Sequence, residues 1–400
     1  MSYACLKGGG DVTLFEKLED AVPRAPGEEP AWDRLEALLV GVDFARLRDT
    51  PQNPVYHAEG DVFRHTQMVC RALTGAEAFF ELPRRQRTAL FLAALLHDVG
   101  KITTTKKENG AWAAPNHSSV GAQRARVFLW RECGLCGSAE RMQLRETICA
   151  LIRYHMLPLH WMDRTSPERT AREVASVGAL APDFSWELLC MLAAADARGR
   201  KGADLEEGLL RVELCRSNAE ECGCLNCPFP FPNGHTMRAY LDDRINWPEQ
   251  PLYDDSWGEV VLLSGLPGTG KDTWIRENLP GLPVVSLDEI RAEHAIRPSD
   301  PQGEAARLAL SQAKVYLRSR QPFVWNATDL SAELREKQIR LFERYGARVR
   351  IVYLETAWET RKRRNADRAR CVPEHAAEAM LEKTVPPMPW EAQCVSWIPV

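Results

Sequence analysis

A chain of 400 residues with 45% hydrophobic and 26% charged side chains is an ordinary globular composition, but too long for one core, so two domains are expected. A net charge of −4 excludes binding to nucleic acid through bulk charge, so any such surface must be local. No apolar run is long enough to cross a bilayer, and Lys7 with Gly8-Gly9-Gly10 interrupts any signal-peptide core. Twelve cysteines without such a signal read as reduced thiols of a cytoplasmic protein.

Residues 1–30 are rich in Gly and Pro and read as a weakly ordered segment. From Trp32 to about Ser217 apolar residues recur at three- and four-residue spacing, as in 88–96, 145–153 and 186–197. Strand-like alternation is almost absent there, which predicts an all-α domain over 31–220. Six of the nine histidines fall between residues 57 and 160. His65, His97-Asp98, His117, His155 and Asp196 follow one another, each on or near a predicted helix. Helices packed around a common space would bring these six side chains together as metal ligands. Imidazole and carboxylate donors suit Mn, Fe, Co, Ni or Zn. A shared Asp98 can bridge two such metals, the arrangement that activates water against a phosphate. Lys101, one turn on, is placed to neutralise a phosphate oxygen. His57, His160, His235, His294 and His375 are set aside as non-ligands.

The strings Tyr56-His57-Ala58-Glu59-Gly60-Asp61-Val62-Phe63-Arg64-His65-Thr66, Leu96-His97-Asp98-Val99-Gly100-Lys101, Asn116-His117 with Gly121-Ala122, and Arg153-Tyr154-His155 carry a resemblance. They resemble the HD phosphohydrolase superfamily, in the form of the HD domain that accompanies bacterial CCA-adding enzymes, over residues 32–200. The resemblance implies an all-α fold and a metal-dependent phosphomonoesterase or phosphodiesterase. It implies one metal on His65, His97, Asp98 and Asp196 and a second on Asp98, His117 and His155. Single-metal members leave the count open. CCA addition is not expected, because no nucleotidyltransferase acidic motif precedes this region.

Residues 221–256 turn Pro-, Gly- and Asp-rich and read as an irregular bridge. Cys215, Cys222, Cys224 and Cys227 cluster at its start. A C-x-C-x-x-C run can be stapled by structural zinc, but the spacing is not a standard paired-ligand pattern, and unmetallated thiols are the favoured reading.

After Gly258 the short apolar runs Val260–Leu263, Val284-Val285, Phe323-Val324-Trp325 and Val349–Leu354 alternate with helical patterns. That predicts an α/β domain over 257–400 with a parallel sheet. The first run leads into Gly265-Leu266-Pro267-Gly268-Thr269-Gly270-Lys271-Asp272-Thr273, a phosphate-binding loop opening a helix. Its glycines let backbone N–H groups wrap phosphates, and Lys271 adds a point charge. Gly265, Gly268, Thr269, Gly270, Lys271, Asp272 and Thr273 are the expected nucleotide contacts, for ATP or another NTP with Mg²⁺. Asp272 stands where a Ser or Thr usually ligates Mg²⁺, which leaves the Mg²⁺ ligand open. Asp288 ends the second predicted strand and is placed to take a proton from an attacking hydroxyl. Arg291 is placed to grip an acceptor phosphate. Asn326 and Thr328 close the third strand and are expected to position the acceptor. Residues 361–370 carry six positive charges against one negative, with Arg364 and Arg368 expected on one face of a lid helix.

The loop, the Asp-x-x-Arg, the Asn-Ala-Thr strand end and the Arg-Asn-x-x-Arg lid before Val372-Pro373 resemble the 5′-OH polynucleotide kinases among the P-loop phosphotransferases, over residues 258–385. The resemblance implies that Lys271 and Arg368 contact nucleotide phosphates, that Asp288 is the general base, and that Arg364 is a further lid contact. The two halves together resemble the bacterial HD-domain polynucleotide kinases of RNA end repair. That resemblance implies removal of a 2′,3′-cyclic or 2′-phosphate by one half and phosphorylation of a 5′-OH by the other. The implied partners are RNA or DNA ends and a separate RNA ligase, with no membrane. Two other readings stay open: a nucleoside or nucleotide kinase fused to a nucleotide phosphohydrolase, and a nucleotide-sensing RNA-binding regulator with little turnover.

Overall fold

Helix Arg84–Leu96 is the axis of the N-terminal half. Every side chain from Thr88 to Leu96 is buried, and a helix with no polar face must be surrounded. Helices Val62–Thr74, Ala139–Tyr154 and Trp186–Arg198 pack against it. Their starts are set locally: Asp61, Ser138 and Ser185 each accept a backbone N–H three residues on. The computed structural model describes residues 12–202, 205–297, 300–368 and 370–400.

Three segments differ from expectation. Leu14–Glu19, inside the stretch expected to be weakly ordered, is a helix opened by a Thr13–Glu16 capping box, and its Leu18 is buried in the core. Residues 1–11 of that stretch lie outside the described residues. Lys106–Glu108 (β1) and Ala111–Ala113 (β2) pair antiparallel within the half expected to be all helical. The hairpin turns on Asn109-Gly110, both at positive φ, the dipeptide suited to a two-residue turn. Gly234–Leu241, in the expected irregular bridge, is a helix capped by Asn233, with Tyr240 buried.

The C-terminal half holds β3 (Glu259–Ser264), β4 (Val284–Ser286), β5 (Phe323–Asn326), β6 (Arg348–Glu355) and β7 (Cys394–Pro399). All pair in parallel, in the order β4-β5-β3-β6-β7. Side chains alternate across the sheet: Val260 and Leu262 pack with Phe323, Trp325 and Ile351 on one face, Val261 and Leu263 with Val324, Val352 and Leu354 on the other. β3 therefore lies in the middle and delivers the glycine loop at its carboxyl end. The edge strand β7 was not expected, since it carries no continuous apolar run.

The halves share a core. Trp130, Cys136 and Met142 pack with Leu266, Leu330, Tyr353, Trp358 and Leu381. Beside them Arg145, fully buried, grips Glu355 with two 2.7 Å bonds. A buried ion pair survives only when its remaining donors and acceptors are used. Here Arg145 also donates to Glu146 and to Leu135 O, and Tyr353 donates to Glu355.

Candidate active sites

In the helical half, five segments aim donors at one point. His65 lies in the first turns of Val62–Thr74, and His97 and Asp98 follow the end of Arg84–Leu96. His117 opens His117–Arg131, His155 caps Ala139–Tyr154, and Asp196 lies in Trp186–Arg198. The turn after Asp98 rests directly on the His117 helix, because a Cβ at Gly100 would collide with the His117 carbonyl. His65 Nε2 is 3.0 Å from Asp196 Oδ1 and 3.7 Å from Asp98 Oδ2. His97 Nε2 is 3.2 Å from Asp98 Oδ2, and His117 Nε2 is 3.5 Å from Asp98 Oδ1 and 3.4 Å from His155 Nε2.

The tautomers follow from the far side of each ring. Nδ1 of His97, His117 and His155 lies 2.7–2.8 Å from the carbonyl of Ala94, Ala114 and Ile152. A carbonyl can only accept, so each Nδ1 carries the proton and each Nε2 offers a lone pair to the centre. Burial pulls His155 down to about 3 and pulls His117 down as well, which keeps both neutral. Burial alone would raise Asp98, but Lys101 and His97 hold its carboxyl well below the usual carboxylate range. Asp98 Oδ1 and His97 Nε2 are buried without a hydrogen-bond partner, while Asp98 Oδ2 is met by the Lys101 ammonium. An anion and bare imidazole nitrogens facing one space fit a divalent cation. Three sets bring their ligand atoms within 4.8 Å of one another: His65, His97 and Asp98; Asp98, His117 and His155; and, on the outer side of His65, His57, Glu59 and His65, although His57 was expected to be a non-ligand.

Two expected residues sit differently. Asp196 is buried beside these sets but joins none of them; His65 Nε2 meets its Oδ1, and Arg200 donates to both of its oxygens. Burial opposes charge on His65, yet its hydrogen bonds to Asp196 and Glu59 raise its pKa. A proton on Nε2 thus stands where a cation would bind, and metal uptake would release it. Lys101 is turned inward to Asp98 Oδ2 at 2.7 Å and Gln52 Oε1 at 2.8 Å, rather than outward to a phosphate. Glu59, which sequence reasoning passed over, is buried on the outer side of His65; the only signal was its place in the Tyr56–Thr66 string.

In the α/β half, Gly268 adopts φ +87°, and a Cβ there would meet Arg361 O at 2.7 Å. Only glycine lets helix Trp358–Ala366 lie on the loop. Thr269 donates to Leu266 O at 2.8 Å and braces the turn. Lys271 opens helix Lys271–Asn278, and its Nζ donates to Gly265 O and Leu266 O at 2.8 and 3.1 Å. Burial lowers its pKa to about 8. Asp272 accepts from Asn326 Nδ2 at 2.7 Å, so the residue replacing the usual hydroxyl is tied to the end of β5. Thr273 is exposed and accepts from Arg276. Thr328 meets the loop through its backbone carbonyl, which accepts the Gly265 N–H at 2.9 Å. Its neighbour Asp329, also missed, is buried, accepts from Trp325 Nε1 at 2.8 Å, and is pushed up to about 6 by burial.

Ser286, not Asp288, caps helix Leu287–Glu293, so the Asp288 carboxylate is free for other partners. Its oxygens meet Arg291 Nη1 at 2.8 Å and Arg368 Nη2 at 3.1 Å. Arg368 therefore reaches the acceptor side rather than the loop. It also does not share a helix face with Arg364, because the helix ends at Ala366. Asn365 turns the chain back by bonding both the N–H and the carbonyl of Val372. Arg364 stays over the loop, its Nη1 3.5 Å from where a Gly270 Cβ would stand.

A helical half built on a His/Asp centre precedes a parallel sheet whose middle strand ends in a glycine loop. Residues 62–187 match the HD domain. Residues 260–387 match an AAA domain. The chain therefore carries an HD domain, of the metal-dependent phosphohydrolase type, ahead of a P-loop kinase-like domain. No curated protein matches it.

Outside both sites, Cys215, Cys222 and Cys224 are buried and Cys227 is exposed. Among the described residues, the groups whose ligand atoms cluster as a metal site contain no cysteine. No described helix is long and apolar enough to cross a membrane.

Proposed function

We propose that this chain is a bifunctional, cytoplasmic enzyme that heals nucleic-acid ends, RNA ends first. The 31–220 unit removes a 2′,3′-cyclic or 2′-phosphate, and the 257–400 unit phosphorylates a 5′-OH with an NTP. The observation that most favours a polymer acceptor is Asp288: its side chain is 59% exposed at the strand edge and flanked by Arg291 and Arg368. An open carboxylate admits the end of a long chain, whereas a nucleoside kinase would enclose its acceptor.

At the kinase site, NTP phosphates would take the Lys271 ammonium from the Gly265 and Leu266 carbonyls that now hold it. Asp288 accepts the proton of the 5′-hydroxyl, and Arg291 orients the adjoining phosphate. Arg364 and Arg368 stabilise charge on the transferring phosphoryl group. Asp272, held by Asn326, is the side chain placed for Mg²⁺. At the HD site, a divalent metal when bound supplies an acidified water and positive charge for the phosphate. His65, His97, Asp98, His117 and His155 would hold it, with Asp196 joining once Arg200 releases its carboxylate. Lys101, turned inward, balances the charge of Asp98.

The two chemistries are complementary. Breakage of RNA leaves a cyclic phosphate and a 5′-OH, while a ligase needs a 3′-OH and a 5′-phosphate; a separate RNA ligase is the partner this reading requires. An RNA oligonucleotide bearing both damaged ends, incubated with ATP and Mg²⁺ or Mn²⁺ and read by mass, tests it. Gain of a 5′-phosphate with loss of the 3′-terminal phosphate is the expected result. Unchanged ends, with free nucleosides or nucleotides turned over, would instead select the small-molecule enzyme.

A further inference from the structure

Glu59 lies in the loop before helix Val62–Thr74 and is 3% exposed. Its carboxylate is fully engaged. Oε1 is 2.7 Å from His57 Nδ1 and 3.1 Å from His65 Nδ1, and Oε2 accepts the Lys201 backbone N–H at 2.8 Å. The Ala58 N–H donates to Lys201 O at 3.0 Å, so this loop is stitched to the segment just beyond Asp196 and Arg200.

His65 needs such a partner more than its fellow ligands do. His97, His117 and His155 each turn Nδ1 onto a carbonyl three residues back, an acceptor supplied by their own segment. Among the described residues, the acceptors at His65 Nδ1 lie outside its own helix: Gly199 O at 3.2 Å and the Glu59 carboxylate of the preceding loop at 3.1 Å. Of the two, only Glu59 carries charge. A carboxylate holding the outer proton of an imidazole fixes the tautomer and makes the inner nitrogen a stronger donor.

We propose that Glu59 is a positioning residue of the HD metal centre, orienting His65 so that Nε2 faces Asp98 and Asp196. This rests on the reading that the Asp98 cluster holds a divalent cation. A purely structural role would account for the Lys201 contact and for some loss of stability on mutation. It would leave metal affinity unchanged.

The test is a Mn²⁺ titration, followed by the electron paramagnetic resonance of the free ion, on the full-length wild type, Glu59→Gln and Asp98→Asn. Thermal unfolding of each metal-free protein and nucleotide binding at the P-loop serve as fold controls. The expected result is tight binding by the wild type, none by Asp98→Asn, and an affinity lower by about 10- to 100-fold in Glu59→Gln with both controls intact. Wild-type affinity in Glu59→Gln overturns the inference, whether or not its unfolding midpoint drops. If Glu59→Gln does not fold, Glu59→Asp replaces it, keeping the charge but drawing the carboxylate back by one methylene; undiminished affinity there also overturns it. A wild type that binds no Mn²⁺, or an Asp98→Asn that binds as well as wild type, would remove the reading beneath it.

Discussion

The two sites solve opposite problems. In the helical half His65, His97, Asp98, His155 and Asp196 are all at most 1% exposed, and main-chain carbonyls or carboxylates aim the imidazoles before any ligand arrives. In the α/β half Asp272, Asp288 and Arg364 are exposed, and the charged groups pair with one another: Asp288 with Arg291 and Arg368, Lys271 with its own loop. The contrast teaches what each chemistry demands. A cation cradle must be assembled in advance, because mutually repelling or unpartnered donors will not converge unaided. A phosphoryl-transfer site must admit two substrates, so its charges are held in provisional pairs that ligands replace.

Several measurements can break or sharpen that contrast. The largest effect is expected from Asp98→Asn, which should abolish phosphohydrolase activity and divalent-metal binding while kinase turnover stays at the wild-type level. Loss of both activities in a folded protein would mean that the sites are not independent. Next, Asp288→Asn should lower kinase kcat by about 10²- to 10⁴-fold, the range for removing a general base, with phosphohydrolase activity untouched. A kinase assay showing less than a tenfold loss would assign the base elsewhere.

Arg145→Ala tests the shared core rather than either site. It strands Glu355 as a buried charge and should cost about 3–5 kcal/mol in urea unfolding, with both activities lost at one lowered temperature. Separate inactivation temperatures would show that the halves unfold independently. A smaller change is expected at Asp329. Its folded pKa, about 6, lies above the ordinary carboxylate value, so the charged form is disfavoured and stability rises as pH falls from 6 towards 4. Asp329→Asn should therefore stabilise the protein at pH 7–8 by about 1–3 kcal/mol and flatten that pH dependence. An unchanged urea midpoint at pH 7.5 would contradict it.

The smallest effect concerns Lys271. With its pKa lowered to about 8, the ammonium is lost as pH rises through that value, and bound phosphates should restore it. Nucleotide affinity should fall above pH 8 by at most about tenfold per pH unit, with proton uptake on binding. Calorimetry in buffers of different ionisation enthalpy would show the uptake, and Lys271→Met should remove it.

Much of the candidate metal site was legible because its residues lie on or at the ends of helices, and those helices were periodic. His65 and Asp196 are 131 residues apart, yet each was marked by a local pattern. The glycine loop was legible for the same reason, since its strand, turn and helix are contiguous. The hairpin announced itself only by Asn109-Gly110, because three-residue strands are too short to show alternation. β7 lacked an apolar run because it lies at the sheet edge, half-covered.

What the sequence determined by itself was therefore local: which segments form helices or strands, where the phosphate loop turns, and which residue types suit metal and phosphate. The tertiary structure alone decided pairings between distant segments. It set Glu59 on the Lys201 N–H, Arg368 on Asp288 rather than over the loop, and Arg145 on Glu355 in the buried seam. None of these has a sequence period, because a charged side chain settles on whichever partner packing brings within reach once water is excluded.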